Sequence, residues 1–423
     1  MMIPSIDLQG GRTVQLVGGR DLALAAGDPA PWARRFGRVG EIAVIDLDAA
    51  LGEGGNADLI AGLLDLAPCR VGGGIRSADM ARRWLDLGAA RVIIGTAADP
   101  ALLRQLPPER VIVALDARDK DVVVEGWTKR TGRRVADRMA ELAGLAGGFL
   151  VTSVEREGRM VGADLEWAAS LQKAAGGARL TFAGGVSNSD EIAALDDLGI
   201  DVQVGMALYT GAFTLAEGFL APLRARDPRG PWPTVVCDEA GSALGLVWST
   251  LESVTQALDT GRGVYHSRRR GLWVKGQESG NTQELLAMDL DCDRDALRVR
   301  VRQRGDGFCH TGSWTCWGPG TGLQALERTV HARLQDAPAG SYTRRLFEDG
   351  DLLTAKLKEE AAELAAAREP AHAAAEAADL IYFTQVALAR AGASWADVAG
   401  VLDGRARQVT RRPGDAKPEG WQP

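Results

Sequence analysis

Three cysteines, Cys292, Cys309 and Cys316, stand near one another and beside His310 in a segment rich in Gly, Ser and Trp. Three thiolates hold a zinc ion and leave a fourth coordination position for water, as catalytic zinc sites do. A zinc ion so held brings the pKa of its water toward 7 and supplies hydroxide at neutral pH. Free cysteines are often simply core residues. Here, however, Cys292 lies between Asp291 and Asp293, and the other two sit in a Gly/His/Ser/Trp turn, neither of which reads as core. Asp291, Asp293 and Asp295 form D-C-D-x-D. In an extended segment alternate residues share a face, which puts the three carboxylates on one side and Cys292 on the other. An all-oxygen cluster suits a hard cation such as Mg²⁺; alone, the same pattern would read as a solvated acidic turn.

Two more sets of carboxylates stand out. Glu360 and Glu363, and then Glu376 and Asp379, are i, i+3 pairs, so each pair lies on one helix face. Packed together, the faces converge four carboxylates, which is costly without a counter-ion, and Mg²⁺ is the natural one. The alternative is two solvated faces, but Glu376 and Asp379 fall in the apolar stretch AAAEAADLIYF. At the other end of the chain, Asp7 and Asp116 each close an apolar run, IPSID and VIVALDA. Two separated carboxylates divide acid and base work when their surroundings push their pKa values apart. Glycines accompany them in matched sets: Gly73 and Gly74 (with Arg76 just after) and Gly95-Thr96, against Gly184, Gly185 and Gly205. Glycine lets backbone N–H groups close on a phosphate, so two matched sets suggest a substrate phosphorylated at both ends.

The elements that must position these residues fall into three regimes. Over residues 1–224 apolar runs alternate with amphipathic stretches, the pattern of a (β/α)8 TIM barrel. The runner-up, an open doubly wound sheet, does not explain the internal repeat: GGIRSADMARRWLDLGAARVIIG (73–95) matches GGVSNSDEIAALDDLGIDVQVG (184–205), as two half-barrels require. After an Arg/Pro/Gly-rich linker, residues 225–320 read as a small, mainly β, α+β domain, with LRVRVRQ alternating like a half-buried strand. Residues 321–411 are Ala-, Leu- and Glu-rich with helical spacing, an all-α domain, and 412–423 read as a flexible tail. The net charge of −7 argues against a nucleic-acid binder. No stretch reaches the roughly 18 apolar residues of a membrane span, and no signal peptide is evident. Five cysteines are no disulfide framework, so a cytoplasmic setting is expected.

The motifs resemble known families. IPSIDLQGGRTVQLVGG, VGGGIRS, VIIGTAA, LDARD and FAGGVS are similar to phosphoribosylformimino-aminoimidazole carboxamide ribotide isomerases over nearly all of 1–224. That resemblance implies an Amadori aldose–ketose rearrangement of a bisphosphate, with Asp7 as proton acceptor and Asp116 as donor. The chain departs from the family pattern after the sixth strand: where a Thr-Asp and an Arg-Asp-Gly are usual, it reads Thr152-Ser153-Val154-Glu155-Arg156-Glu157-Gly158. The departure motivates an alternative in which the barrel is non-catalytic or altered in specificity. Ser267 to Gly318 closely resembles phosphoribosyl-AMP cyclohydrolase, which opens the adenine ring by adding water at C6. The likeness implies Mg²⁺ on Asp291, Asp293 and Asp295, and zinc held by Cys292 of one subunit and by Cys309 and Cys316 of the other, hence a homodimer. It also marks Lys275, Arg268 and His310 as substrate or proton-transfer groups. SYTRRLFEDG, KLKEEAAE and EAADLIYF, within 323–411, resemble phosphoribosyl-ATP pyrophosphatase. There Glu360, Glu363, Glu376 and Asp379 would hold Mg²⁺, and Lys356 and Arg345 would meet phosphates. The three are consecutive steps of histidine biosynthesis, so small phosphoribosyl nucleotides are the expected substrates.

Overall fold

The computed structural model describes residues 1–224 and 230–410; the expected tail lies outside them. Eight parallel strands close into a barrel: β1 (Met2–Gln9), β2 (Ile42–Asp46), β3 (Cys69–Gly72), β4 (Arg91–Ile94), β5 (Val111–Arg118), β6 (Gly148–Ser153), β7 (Arg179–Ala183) and β8 (Asp201–Val204). Each pairs with the next, and β8 returns to β1. Their almost continuous burial is that of strands covered on both faces. Inside the barrel Ile93, Ile112, Leu150 and Ala183 form a packed layer. The short run Cys69–Gly72 is not among the apolar stretches that stand out in the sequence; it is a strand because the barrel needs its edges paired.

The half-barrel repeat has a structural counterpart. Ser77 and Asn188 cap the helices that follow the two Gly-Gly turns, accepting from the N–H of Met80 and Glu191. A Cβ on Gly73 would stand 2.1 Å from the carbonyl oxygen of Asp46, and one on Gly184 2.5 Å from that of Ser153. In both halves glycine is required because the end of the neighbouring strand, β2 or β6, packs directly on the turn. Hairpins extend β1 and β5 at the same end of the barrel: Arg12–Val17 with Asp21–Gly27, and Asp121–Val124 with Lys129–Arg134.

The second region is a six-stranded sheet built from β9 (Trp232–Cys237), β10 (Ala243–Ser249), β11 (Val264–Ser267), β12 (Gly271–Val274), β13 (Gln283–Leu290) and β14 (Leu297–Gln303), in the order β12-β11-β10-β9-β14-β13. One helix, Leu251–Thr260, packs on it, and the basic residues of β14 point outward as its alternation implies. Its apolar residues, among them Val236, Leu244, Leu258 and Phe308, continue the barrel's core as one cluster. The last region is helical, from Gly322–Gln335 to Trp395–Arg407, around a small core of its own that includes Val330, Leu346, Leu353 and Phe383. Among the described residues no helix is long and apolar enough to cross a membrane.

Candidate functional sites

At the barrel mouth, β1 carries Asp7 and β5 carries Asp116. Ser5, two residues back on the same face of β1, donates to Asp7 Oδ1 at 2.8 Å, and the Tyr209 hydroxyl donates to the Ser5 carbonyl at 3.0 Å. Burial pushes the Asp7 carboxyl up to about 6, against the opposing Ser5 bond. Burial also raises Asp116, whose partners are the Trp127 indole and the Thr152 hydroxyl. Glu157, on the loop after β6, completes a carboxylate trio. Burial together with the charges of Asp7 and Asp116 pushes it up to about 8. The environment therefore raises all three carboxyls and sets Asp7 and Glu157 apart, the condition for separate acid and base roles.

Asp7 and Glu157 line one pocket with Gly184, Gly185 and Gly205; Asp116 lines another with Gly95, Thr96, Thr131, Arg133 and Arg138. The matched glycine sets thus fall in part on the two sides of the mouth. Gly73 and Gly74 instead receive the short helix Leu47–Leu51, and the Arg76 guanidinium donates to the carbonyls of Ala49 and Ala50 at 3.2 Å, closing that helix rather than facing either pocket. The roles of Ser5 and Tyr209 escaped the sequence reading; the i, i+2 spacing of Ser5 and Asp7 on a strand was the available signal.

In the second region Cys309 and Cys316 come together on the loop after β14. Cys316 N–H bonds Leu244 O at 2.8 Å, and Phe308 and Cys309 bond back to Trp314 and Ser313. Gly245 has no side chain where one would stand 2.2 Å from the Phe308 ring and 3.0 Å from Cys316 Sγ, so the thiol reaches the sheet. The Thr311 hydroxyl lies 3.1 Å from Cys309 Sγ, and its bond favours the thiolate there. Burial raises Cys316. Lys275 is buried beside the pair: burial lowers its pKa while the two thiol groups raise it. His310 Nδ1 is 3.9 Å from Cys309 Sγ, and Arg268 lies over the Trp248 ring. Cys292 is exposed and joins no metal-sized cluster with the other two within this chain, among the described residues.

Asp291, Asp293 and Asp295 do gather, with one oxygen of each within 4.8 Å of the others. The geometry corrects the extended reading, since alternation is not what brings them together. Residues 291–296 form a turn: Asp291 Oδ1 accepts from the N–H of Asp295 and Ala296 at 2.9 and 3.1 Å, and Arg294 adopts a left-handed φ of 67°. In the helical region Glu360, Glu363 and Glu376 form a like cluster between Gly350–Ala366 and Pro370–Ala391. Asp379 is exposed and lies outside it, so three carboxylates converge rather than four; its side chain is one methylene shorter than glutamate's. Glu363 is raised by its hydrogen bond to Glu376. Lys356 pairs with Glu359 and Glu360 at 2.8 and 3.1 Å. Both acidic clusters are all-oxygen sets of a size that fits a hard divalent cation.

The barrel, with its two-fold turns and paired carboxylates, coincides with the histidine biosynthesis protein family model, which matches residues 1–214. The chain belongs to that family. Residues 245–318 match phosphoribosyl-AMP cyclohydrolase, a metal-dependent family, and residues 323–406 match phosphoribosyl-ATP pyrophosphohydrolase. A histidine biosynthesis trifunctional protein of Komagataella pastoris is 48% identical over 206 residues, 49% of this chain and 24% of that protein. The histidine biosynthesis bifunctional protein his7 of Schizosaccharomyces pombe is 47% identical over 209 residues, 49% of this chain and 50% of that protein. The histidine biosynthesis bifunctional protein HisIE of Deinococcus radiodurans is 44% identical over 197 residues, 42% of this chain and 90% of that protein. The chain therefore spans half or less of the first two relatives and most of the third. Within the histidine biosynthesis match lie Asp7, Asp116 and Glu157; the cyclohydrolase match holds all three cysteines; the pyrophosphohydrolase match holds the glutamate cluster.

Proposed function

We propose that the chain carries out three successive reactions of histidine biosynthesis. It releases pyrophosphate from phosphoribosyl-ATP, opens the adenine ring of phosphoribosyl-AMP, and isomerises the resulting aminoaldose bisphosphate. The supporting observation is that each matched segment contains its own cluster of groups suited to its step, and that the steps are consecutive.

In the helical region Glu360, Glu363 and Glu376 would hold Mg²⁺, which supplies charge neutralisation for attack on the phosphoanhydride; Asp379 lies outside the cluster. In the middle region Cys309 and Cys316 of one subunit and Cys292 of the other would hold zinc, which supplies an activated water. Lys275, buried beside the thiols, would offer a proton near the ring being opened, and His310 a second shuttle. Asp291, Asp293 and Asp295 would bind Mg²⁺. In the barrel Asp7, held by Ser5, would take the C2 proton, and Asp116, whose burial raises its pKa, would give a proton to the ribose ring oxygen. Glu157 stands where the family has aspartate, and it favours a second reading in which the barrel binds without turning over.

Purified chain supplied with Mg²⁺ and Zn²⁺ is expected to convert phosphoribosyl-ATP to the ribulosyl product. Accumulation of the aminoaldose, unaffected by Asp7→Asn, would instead support the second reading. A zinc site shared between subunits would make the chain a homodimer, which is tested by whether dissociating the dimer releases zinc; a cytoplasmic setting is a separate part of the proposal.

A further inference from the structure

The acidic turn of the middle region does not stand alone: its central residue is fastened to the barrel. The Arg294 guanidinium makes a two-pronged contact with Asp196, Nε to Oδ2 at 2.9 Å and Nη2 to Oδ1 at 2.8 Å. Asp196 ends the barrel helix Ser189–Asp197, and its side chain is 4% exposed. On the other side of the same residue, the Arg294 carbonyl accepts from the Arg224 N–H at 2.6 Å, again from the barrel side. Paired N–H···O bonds between guanidinium and carboxylate are strong and directional.

The backbone explains why such a hold is needed. Arg294 is a non-glycine residue in the left-handed region, a strained conformation that persists only where the surroundings enforce it. Asp291, Asp293 and Asp295 also crowd their carboxylates, one oxygen of each within 4.8 Å of the others, and like charges held that close repel. Both effects favour a relaxed turn with its carboxylates apart. Fixing Arg294 from both sides by the barrel opposes that relaxation.

We infer that Arg294 is a positioning residue, through which the barrel's Asp196 holds the Asp291–Asp295 turn in the conformation that binds a divalent cation. The barrel thus serves the middle site as well as its own. The inference rests on reading the acidic turn as a cation site.

The test uses the full zinc-loaded chain carrying Glu360→Gln and Glu363→Gln, so that the helical cluster is silent, with Mn²⁺ as the probe and free Mn²⁺ counted by electron paramagnetic resonance. Arg294→Ala is expected to weaken Mn²⁺ binding on the order of tenfold, the usual cost of losing a partner that orients a metal ligand. Asp196→Asn, outside the matched cyclohydrolase segment, is expected to weaken it in the same direction, and Arg294→Lys less than Arg294→Ala. In the otherwise native chain, Arg294→Ala should raise the cation concentration needed for half-maximal ring opening while leaving kcat at saturating Mg²⁺ in place. A merely structural loss would lower kcat instead. Should Arg294→Ala fail to fold, Asp196→Asn carries the test. Mn²⁺ affinity within twofold of the parent in both variants overturns the inference alone. A titration that Asp291→Asn does not change overturns the cation site itself, and the inference with it.

Discussion

Replacing Glu157 by glutamine should stabilise the barrel, and by an amount that grows with pH. In the fold this carboxyl is pushed from an ordinary value of 4.5 to about 8 by burial and by Asp7 and Asp116. Below pH 4.5 it is protonated both folded and unfolded, and costs nothing. As pH rises past 4.5 the unfolded chain gives up the proton while the folded barrel keeps it. Stability therefore falls through the window and levels out above about pH 8. At about 1.36 kcal/mol per unit the full shift corresponds to roughly 5 kcal/mol. The side chain is only half-buried at an open mouth, where water and loop movement relieve much of the repulsion, so about 2 kcal/mol is the more realistic figure. For a barrel of this size that is a difference in melting temperature of about 4–8 °C. Scanning calorimetry of the parent and Glu157→Gln chains at pH 5 and pH 8.5 reads it directly. Near-coincident barrel transitions at pH 5 that separate at pH 8.5, with the glutamine variant higher, are expected. A separation that is constant with pH, or that favours the parent at pH 8.5, refutes the account of three mutually repelling carboxyls.

Other consequences are as direct. Isomerase kcat/KM should fall below an inflection near pH 6, where Asp7 takes up the proton that disables it as a base, and Asp7→Asn should remove about 10²-fold or more of that activity. Cys309→Ser and Cys316→Ser should abolish bound zinc and ring opening while leaving pyrophosphate release unchanged, read by metal analysis and separate assays. Mixing Cys292→Ser chains with Cys309→Ser chains should restore part of the ring-opening activity if the thiols come from two subunits; no recovery after subunit exchange would refute sharing. Glu363→Gln should suppress pyrophosphate release and its Mg²⁺ dependence without altering ring opening.

What could be read from the sequence was what depends on periodicity or on rare residues. The barrel announced itself because its two halves repeat the same Gly-Gly turn, cap and strand, the turn forced in each half by a strand-end carbonyl within reach of an added Cβ. The cysteines and carboxylates stood out by type and spacing, and the structure brings Cys309 to Cys316 and gathers two carboxylate trios. What could not be read was anything fixed by distant partners. The acidic triplet was expected on a strand face, yet it is assembled by a turn whose key residue, Arg294, answers to Asp196 across 98 positions. Asp379 obeys the helical spacing and still misses the cluster, because spacing places a residue on a face but not at a crossing point. Ser5 and Tyr209 look ordinary in sequence and matter only because Asp7 lies between them and the mouth.

The side-chain contacts that join the barrel to the other two regions share one location. Arg35, paired with Asp259 at 2.7 Å, and Arg38, donating to Leu258 O at 2.8 Å, lie just before β2; Asp196 lies just before β8. Asp86, which accepts from the N–H of Val409 and Thr410, lies just before β4, and Arg110, donating to the Arg407 carbonyl, just before β5. All sit where barrel helices hand over to strands, on the floor opposite the mouth. Chemistry in such barrels belongs to the other end, while the floor contributes stability. Joining further domains through the floor leaves the mouth, with Asp7, Asp116 and Glu157, free of the joint. It also gives the barrel a way to act on the middle region that does not pass through its own active centre, because Asp196 is a floor residue. Loss of the isomerase carboxyls should therefore leave the hold on Arg294 intact, and loss of that hold should leave the isomerase running.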